Sequence, residues 1–281
     1  MPGQNPVNWF HQTLAVASGP VSAFLRYRSL TTELAKRDVL GRYKGASFGL
    51  LWSLISPFLL LWVYTFAFGT VLGARWPQIG SGETHFSIIL FVGLIVHGLF
   101  SECLNRAPGL VVANPNFVKR IIFPLDILPW PMILSALFHA LMNTLVFIVL
   151  RLAMDGEFAW TIVLLPLVLL PMVVLMLGVA WFLASLGVYV RDIAQVTGVV
   201  SMALLFLSSA MMPIESIPES YRWIFELNPL TLIIDQARNV MLWGRFPDWA
   251  ALAKYLLVAT FVMYAGRAWF MATKRGFADV L

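Results

Sequence analysis

Long stretches without a single charged side chain constrain this chain more than any other feature. No Asp, Glu, Lys or Arg falls between Lys44 and Arg75, Glu83 and Glu102, Asp126 and Arg151, Glu157 and Arg191, or Asp192 and Glu215. Crossing bilayer hydrocarbon takes about 20 mainly apolar residues as a helix, and an ionised side chain left there is expensive. Each gap therefore holds one span. The gap ending at Arg191 contains Pro166 and Pro171. It is long for one helix and short for two with a turn, so it is assigned one tilted or kinked helix. A sixth span fits 250–272, where Lys254 and Arg267 lie near the ends and can reach the headgroups. Composition agrees: only 12% of the residues are charged and 60% are hydrophobic, against about 25% charged in soluble domains.

The expected fold is an all-α integral membrane protein of six transmembrane helices, over about 48–73, 86–104, 127–150, 161–187, 194–212 and 250–272. Residues 1–44 form a cytoplasmic leader, and 45–281 form the six-span domain. Six spans return both termini to one side. Placing that side in the cytoplasm puts Arg26, Arg28, Lys36, Arg37, Arg42, Lys44, Arg106, Lys119, Arg120, Arg191, Arg267, Lys274 and Arg275 there and leaves six basic residues outside. The excess of positive charge inside selects N-in, C-in. The net charge of +5 then reports topology and contact with membrane lipids, and no nucleic-acid partner is expected. No cleavable signal peptide is expected, because the first long apolar stretch begins near residue 48. Cys103 is the single cysteine, which excludes an intrachain disulfide; it reads as a small buried hydrophobe.

Three segments between spans carry helical signals. Residues 21–44 place Phe24, Leu25, Leu34 and Leu40 among Arg26, Arg28, Lys36, Arg37 and Arg42, followed by Tyr43 and Lys44. This reads either as an amphipathic helix in the cytoplasmic interface or as a solvated basic leader. In 114–123, Asn114 suits an N-cap, Pro115 the first helical position, and Pro124 a stop. Phe117 with Ile121, and Val118 with Ile122, share a face beside Lys119 and Arg120. So small a helix needs either the membrane surface or a partner's groove to cover that face. The segment 212–249, broken by Pro213, Pro218, Pro229 and Pro247, reads as two short helices dipping into the outer leaflet. Asn228-Pro229 supplies a cap and a first-turn proline, and Asp235 and Arg238 are spaced to pair. Non-spanning backbone at membrane depth needs protein or a watery cavity around it, which favours a gate or vestibule over a simple loop.

Some chemistry is missing. His11, His85, His97 and His139 form no metal-ligand spacing, and no GxxxxGK[ST] phosphate loop occurs. ATP-driven work would need another chain to hydrolyse the nucleotide. Ser135, His139 and Asn143 recur every four residues in the third span; they read as packing hydrogen bonds or as a functional stripe. Trp52, Trp62, Tyr64 and Phe66 of the first span suit either an interfacial aromatic belt or a glycan channel lined with rings.

Three blocks together carry a family resemblance. Residues 36–60 read Lys-Arg-Asp-Val-Leu-Gly-Arg-Tyr-Lys-Gly-Ala-Ser-Phe-Gly-Leu-Leu-Trp-Ser-Leu-Ile-Ser-Pro-Phe-Leu-Leu; 114–129 end in Phe-Pro-Leu-Asp-Ile-Leu-Pro; and 189–192 are followed later by Asn228-Pro229 and Arg238. These resemble the permease subunit of type-2 ABC exporters for lipid-linked polysaccharides, most like the O-antigen branch, with capsule and teichoic acid exporters related. The Ser-Ser-Ala-Met-Met-Pro run at 208–213 is closer to capsule exporters. The resemblance implies an interfacial helix including Arg37, Arg42, Tyr43 and Lys44, and a coupling helix at 114–123. That helix, with Asn114, Pro115, Phe117, Val118, Lys119, Arg120 and Ile121, would dock on a separate ATPase beside Arg191 and Asp192. It also implies external gate helices within 213–245. The working unit it implies is two permeases and two ABC ATPases in a bacterial inner membrane, moving a lipid-pyrophosphate-linked polysaccharide. No cofactor is expected in this chain; ATP and Mg belong to the partner ATPase. Two rivals stay open: the same permease class with another cargo, and a membrane enzyme on lipid-linked sugars, whose only dense polar group would be Glu102, Asn105 and Arg106.

Overall fold

The computed structural model describes residues 19–71, 86–118, 123–156 and 158–281, and all regular structure among them is helical. In chain order the α-helices are α1 (Pro20–Arg26), α2 (Arg28–Arg42), α3 (Trp52–Tyr64), α4 (Phe86–Arg106), α5 (Gly109–Val112), α6 (Pro115–Val118), α7 (Pro129–Met154), α8 (Leu165–Tyr189), α9 (Ile193–Phe206), α10 (Glu219–Leu227), α11 (Pro229–Met241), α12 (Trp249–Thr273) and α13 (Phe277–Val280). Among the described residues, five helical stretches are long and apolar enough to cross a membrane: Gly49–Phe68, Phe86–Arg106, Leu125–Met154, Trp160–Tyr189 and Trp249–Val280. The charge gaps mark the first four of them. Within 158–190, a short 3-10 turn at Trp160–Leu164 leads straight into α8, which carries Pro171 in its interior. That gap is one helix.

The segment read as a fifth span differs in length. Its helix α9 ends at Phe206, and the chain from Leu207 to Pro213 is not helical. Fourteen residues rise only about 21 Å, against about 30 Å of hydrocarbon. The helix stops where Ser208, Ser209 and Ala210, all buried, turn the backbone against α4. A Cβ on Gly93 would lie 2.9 Å from the Ala210 Cα, so only glycine lets the two backbones meet.

Helix α4 is the hub. Of its apolar window 72% is buried, against 11% for Gly49–Phe68, and it packs on α7, α8, α9 and α11. The most intimate pair is α8 with α12. A Cβ on Gly178 would sit 2.5 Å from the Val262 carbonyl oxygen, and one on Gly266 would sit 2.1 Å from the Gly178 carbonyl oxygen. In a bilayer, helices associate by close van der Waals packing, because lipid tails are as apolar as leucine. Two glycines at one crossing let the backbones touch.

Contacts between distant segments sort the loops into two ends. At one, Arg106 closing α4 pairs with Asp38 of α2, and the Tyr189 hydroxyl closing α8 donates to the Thr273 carbonyl closing α12 at 2.9 Å. This is the amino-terminal end. At the other, the hairpin end, named for α10 and α11, which are joined at Asn228 and pack on each other, the Thr161 hydroxyl donates to the Val240 carbonyl at 2.7 Å and Trp160 meets Phe246 edge-on at 5.7 Å. The leader helix is broken at Tyr27 into α1 and α2. Thr31 and Ala35, four apart, are buried on the side where α2 packs along α7. Phe24 of α1 lies against Trp130, ring centroids 4.6 Å apart.

Candidate functional site

The hairpin end is built around two buried polar side chains that hydrogen-bond backbone groups of neighbouring segments. Asn228 accepts from the Leu230 N–H at 2.9 Å, capping α11, and Pro229 occupies the first helical position. Its amide also donates to the carbonyls of Leu204 at 2.9 Å and Leu207 at 2.8 Å. One side chain thus caps the start of α11 and the open end of α9. Arg238, 3% exposed, donates to the carbonyls of Ser209 at 2.7 Å, Ala210 at 2.9 Å and Ile89 at 3.4 Å. Its Nη1 lies 3.5 Å from the Asp235 carboxylate. A buried guanidinium is tolerable only when its donors are used, and two of these donors serve the Ser209 and Ala210 carbonyls, which lie in non-helical backbone. Pro213 opens a 3-10 turn over Ile214–Ser216, and Pro218 precedes α10.

At the amino-terminal end, a charged cluster joins α2, α4 and α7. Glu102 receives Arg42 at 2.5 Å and Arg106 at 2.9 Å, while Arg106 also pairs with Asp38. His139 Nδ1 lies 3.0 Å from Glu102 and 3.1 Å from Arg42. With its proton on Nδ1, His139 donates to Glu102. Its buried Nε2, which has no partner among the described residues, is then an acceptor, the less costly orphan. Tyr43 stands edge-on to His139 at 6.0 Å, and burial pushes its hydroxyl above the ordinary value, opposed by Arg42. Arg37 and Lys44 are exposed. The polar stripe of α7 therefore divides. His139 joins this cluster, whereas the Ser135 hydroxyl is buried without a partner among the described residues.

The segment after α4 lies against the last turn of α8 at this end: a Cβ on Gly187 would sit 2.2 Å from the Pro108 carbonyl oxygen. Asn114 departs from its expected N-cap role. Its amide donates backwards to the Leu110 carbonyl at 3.0 Å, because the four-residue α5 leaves that carbonyl without a helical donor. Pro115 is the first residue of α6, described as Pro115–Val118. The Phe117 ring stacks on Phe123 with centroids 4.2 Å apart. Lys119, Arg120 and Ile121 lie outside the described residues. Arg191 and Asp192 are exposed at the turn before α9. In the first span, Trp62 and Phe66 are more than half exposed and stack at 6.3 Å, while Trp52 and Tyr64 are half-buried.

Some of this was not anticipated. Arg267 does not reach the headgroups: it is 6% exposed and pairs with Asp126 at 3.3 Å, since an inward-facing charge needs a counter-ion more than it needs water. His97 lies 3.0 Å from the Ser201 carbonyl. The signal for the first pair was a lone charge at each of two span ends, but nothing local says that they meet.

A family model for the ABC-2 type transporter matches residues 29–242. An O-antigen export system permease protein RfbA of Myxococcus xanthus is 24% identical over 92% of this chain and 98% of its own length. One from Klebsiella pneumoniae is 23% identical over 90% and 95%. The polysialic acid transport protein KpsM of Escherichia coli is 28% identical over 80% and 87%. The family match runs from α2 to the end of α11 and covers both ends of the bundle, so this multi-pass membrane protein belongs to the ABC-2 type transporter family.

Proposed function

We propose that the chain is the permease subunit of an ATP-driven exporter that moves a lipid-pyrophosphate-linked, O-antigen-like polysaccharide across a bacterial inner membrane. The observation that carries this reading is the end-to-end similarity to permeases named for O-antigen export. In this reading the chain crosses six times with both termini in the cytoplasm. Two copies form the path, and two ABC ATPases bind ATP and Mg. The amino-terminal end faces the cytoplasm, where 114–123 and the Arg191–Asp192 turn meet the ATPase. The α10–α11 hairpin closes the external side. A ligand-driven change requires contacts that differ between two states; the Phe117–Phe123 stack is one that ATPase movement would alter. Similarity to a polysialic acid transporter favours a second reading in which the cargo is a capsular glycan.

The test is to co-express the chain with its neighbouring ATPase, purify the complex and measure ATP hydrolysis, while a deletion strain is assayed for surface polysaccharide. Co-purification of an active ATPase and loss of surface glycan are expected. Phe117→Asp should leave insertion intact and reduce export per ATP hydrolysed. A chain that works without a partner, or a deletion strain with normal surface glycan, refutes the reading. Analysis of the missing glycan separates O-antigen from capsule.

A further inference from the structure

Beyond the caps of the hairpin, this end holds a cavity of about 200 Å³ lined mainly by polar side chains, with Pro213 and Ile214. Glu215 and Asp235 bring carboxylates, Arg238 and Arg245 guanidiniums, Asn239 an amide and Trp243 a half-buried indole. At roughly 30 Å³ per water, the space equals about six or seven waters, enough for one sugar ring and too little for a chain. The lining also selects by chemistry. Two carboxylates oppose a phosphate, two guanidiniums oppose a cation, and so polar a wall opposes an acyl tail. What fits is a neutral ligand whose groups both donate and accept, with an apolar face for the indole: a pyranose ring.

The walls are held in place. Arg238 is fixed by its three carbonyl acceptors. After α11 the chain reverses at Gly244, whose φ of +63° favours glycine. The Arg245 N–H then bonds the Asn239 carbonyl at 2.9 Å, returning Trp243 and Arg245 to the cavity. The side chains of Glu215, Trp243 and Arg245 form no hydrogen bond or ion pair among the described residues, so their capacity is open to a ligand.

We propose that this cavity is a subsite for one pyranose ring of the exported glycan, which rests on the polysaccharide reading above. It gives the leaving polymer a hydrogen-bonded foothold outside the path. The test uses the permease–ATPase complex in nanodiscs and oligosaccharides released by mild acid from the host's own surface polysaccharide. Saturation-transfer NMR reads ring protons in contact with protein. Wild type should show transfer, with affinity falling about tenfold in Trp243→Ala and Glu215→Gln and largely kept in Trp243→Phe. Glu215 is exposed, so its variant folds even if an indole deletion does not. No transfer to wild type, or equal affinity in both loss variants, overturns the subsite. A deletion strain that keeps its surface glycan overturns the functional reading instead; one that loses it while both variants bind normally overturns the subsite alone.

Discussion

Replacing Gly266 by alanine tests whether the α8–α12 crossing is held by backbone contact. The new Cβ would lie 2.1 Å from the Gly178 carbonyl oxygen, where ordinary contact begins at 3.4 Å. The helices must therefore open by about 1.3 Å, the difference of those two distances, because the obstacle is helical backbone and cannot rotate away as a side chain could. Opening a contact by about 0.5–1 Å forfeits a quarter to a half of each atom pair's attraction. For a contact the size of one buried leucine, 40–60 pairs at about 0.1 kcal/mol each, the loss is about 1–3 kcal/mol. Overpacked cores lose a similar amount. Gly98→Ala is the matched control, since nothing lies within 4 Å of its Cβ position. It should be neutral or stabilising by up to about 1 kcal/mol from helix propensity. Reversible unfolding in mixed SDS micelles, followed by far-UV circular dichroism, measures both. Equal stability of the two variants, or a Gly266→Ala protein as stable as wild type, refutes the argument.

Other expectations follow from the two polar ends. Asn228→Ala removes one acceptor and two donors and should cost about 2 kcal/mol or more by the same unfolding measurement, whereas Asn228→Asp keeps the α11 cap and should lose less. Glu102→Gln withdraws the carboxylate shared by Arg42, Arg106 and His139. It should cost about 1–3 kcal/mol and raise tryptic cleavage at the exposed Lys36 and Arg37, as α2 lets go of the bundle. Cys103, 1% exposed, should resist a maleimide in the folded protein and react promptly in SDS; fast labelling of the folded chain would contradict its burial.

Features set by a local cause were legible in the sequence. Charge gaps mark spans because every ion in hydrocarbon is costly wherever its partner lies. Asn228-Pro229 marks a helix start because a cap and its N–H are two residues apart. Features set by distant partners were not. Asp126 and Arg267 are 141 positions apart, and two of Arg238's acceptors belong to buried turn backbone with no side-chain signature. The early end of α9 has no local signal because no charged residue or proline falls between Leu207 and Met212; the turn lies where α4 approaches at Gly93. Asn114 misled for a related reason. A cap residue serves whichever orphaned backbone group is nearer, and here that was the helix behind it.

The acceptors of Arg238 also dictate an order of assembly. Ile89, Ser209 and Ala210 all precede it in the chain, so every oxygen it will bond has been synthesised before it leaves the ribosome. Until those oxygens are in place, a lone arginine at membrane depth costs at least about 2.5 kcal/mol, and the hairpin has no reason to leave water. The hairpin is therefore expected to dock after α4 and α9 have packed together. Its arrival reports that α4 and α9 have met correctly, which makes Arg238 a built-in proofreader of the finished bundle.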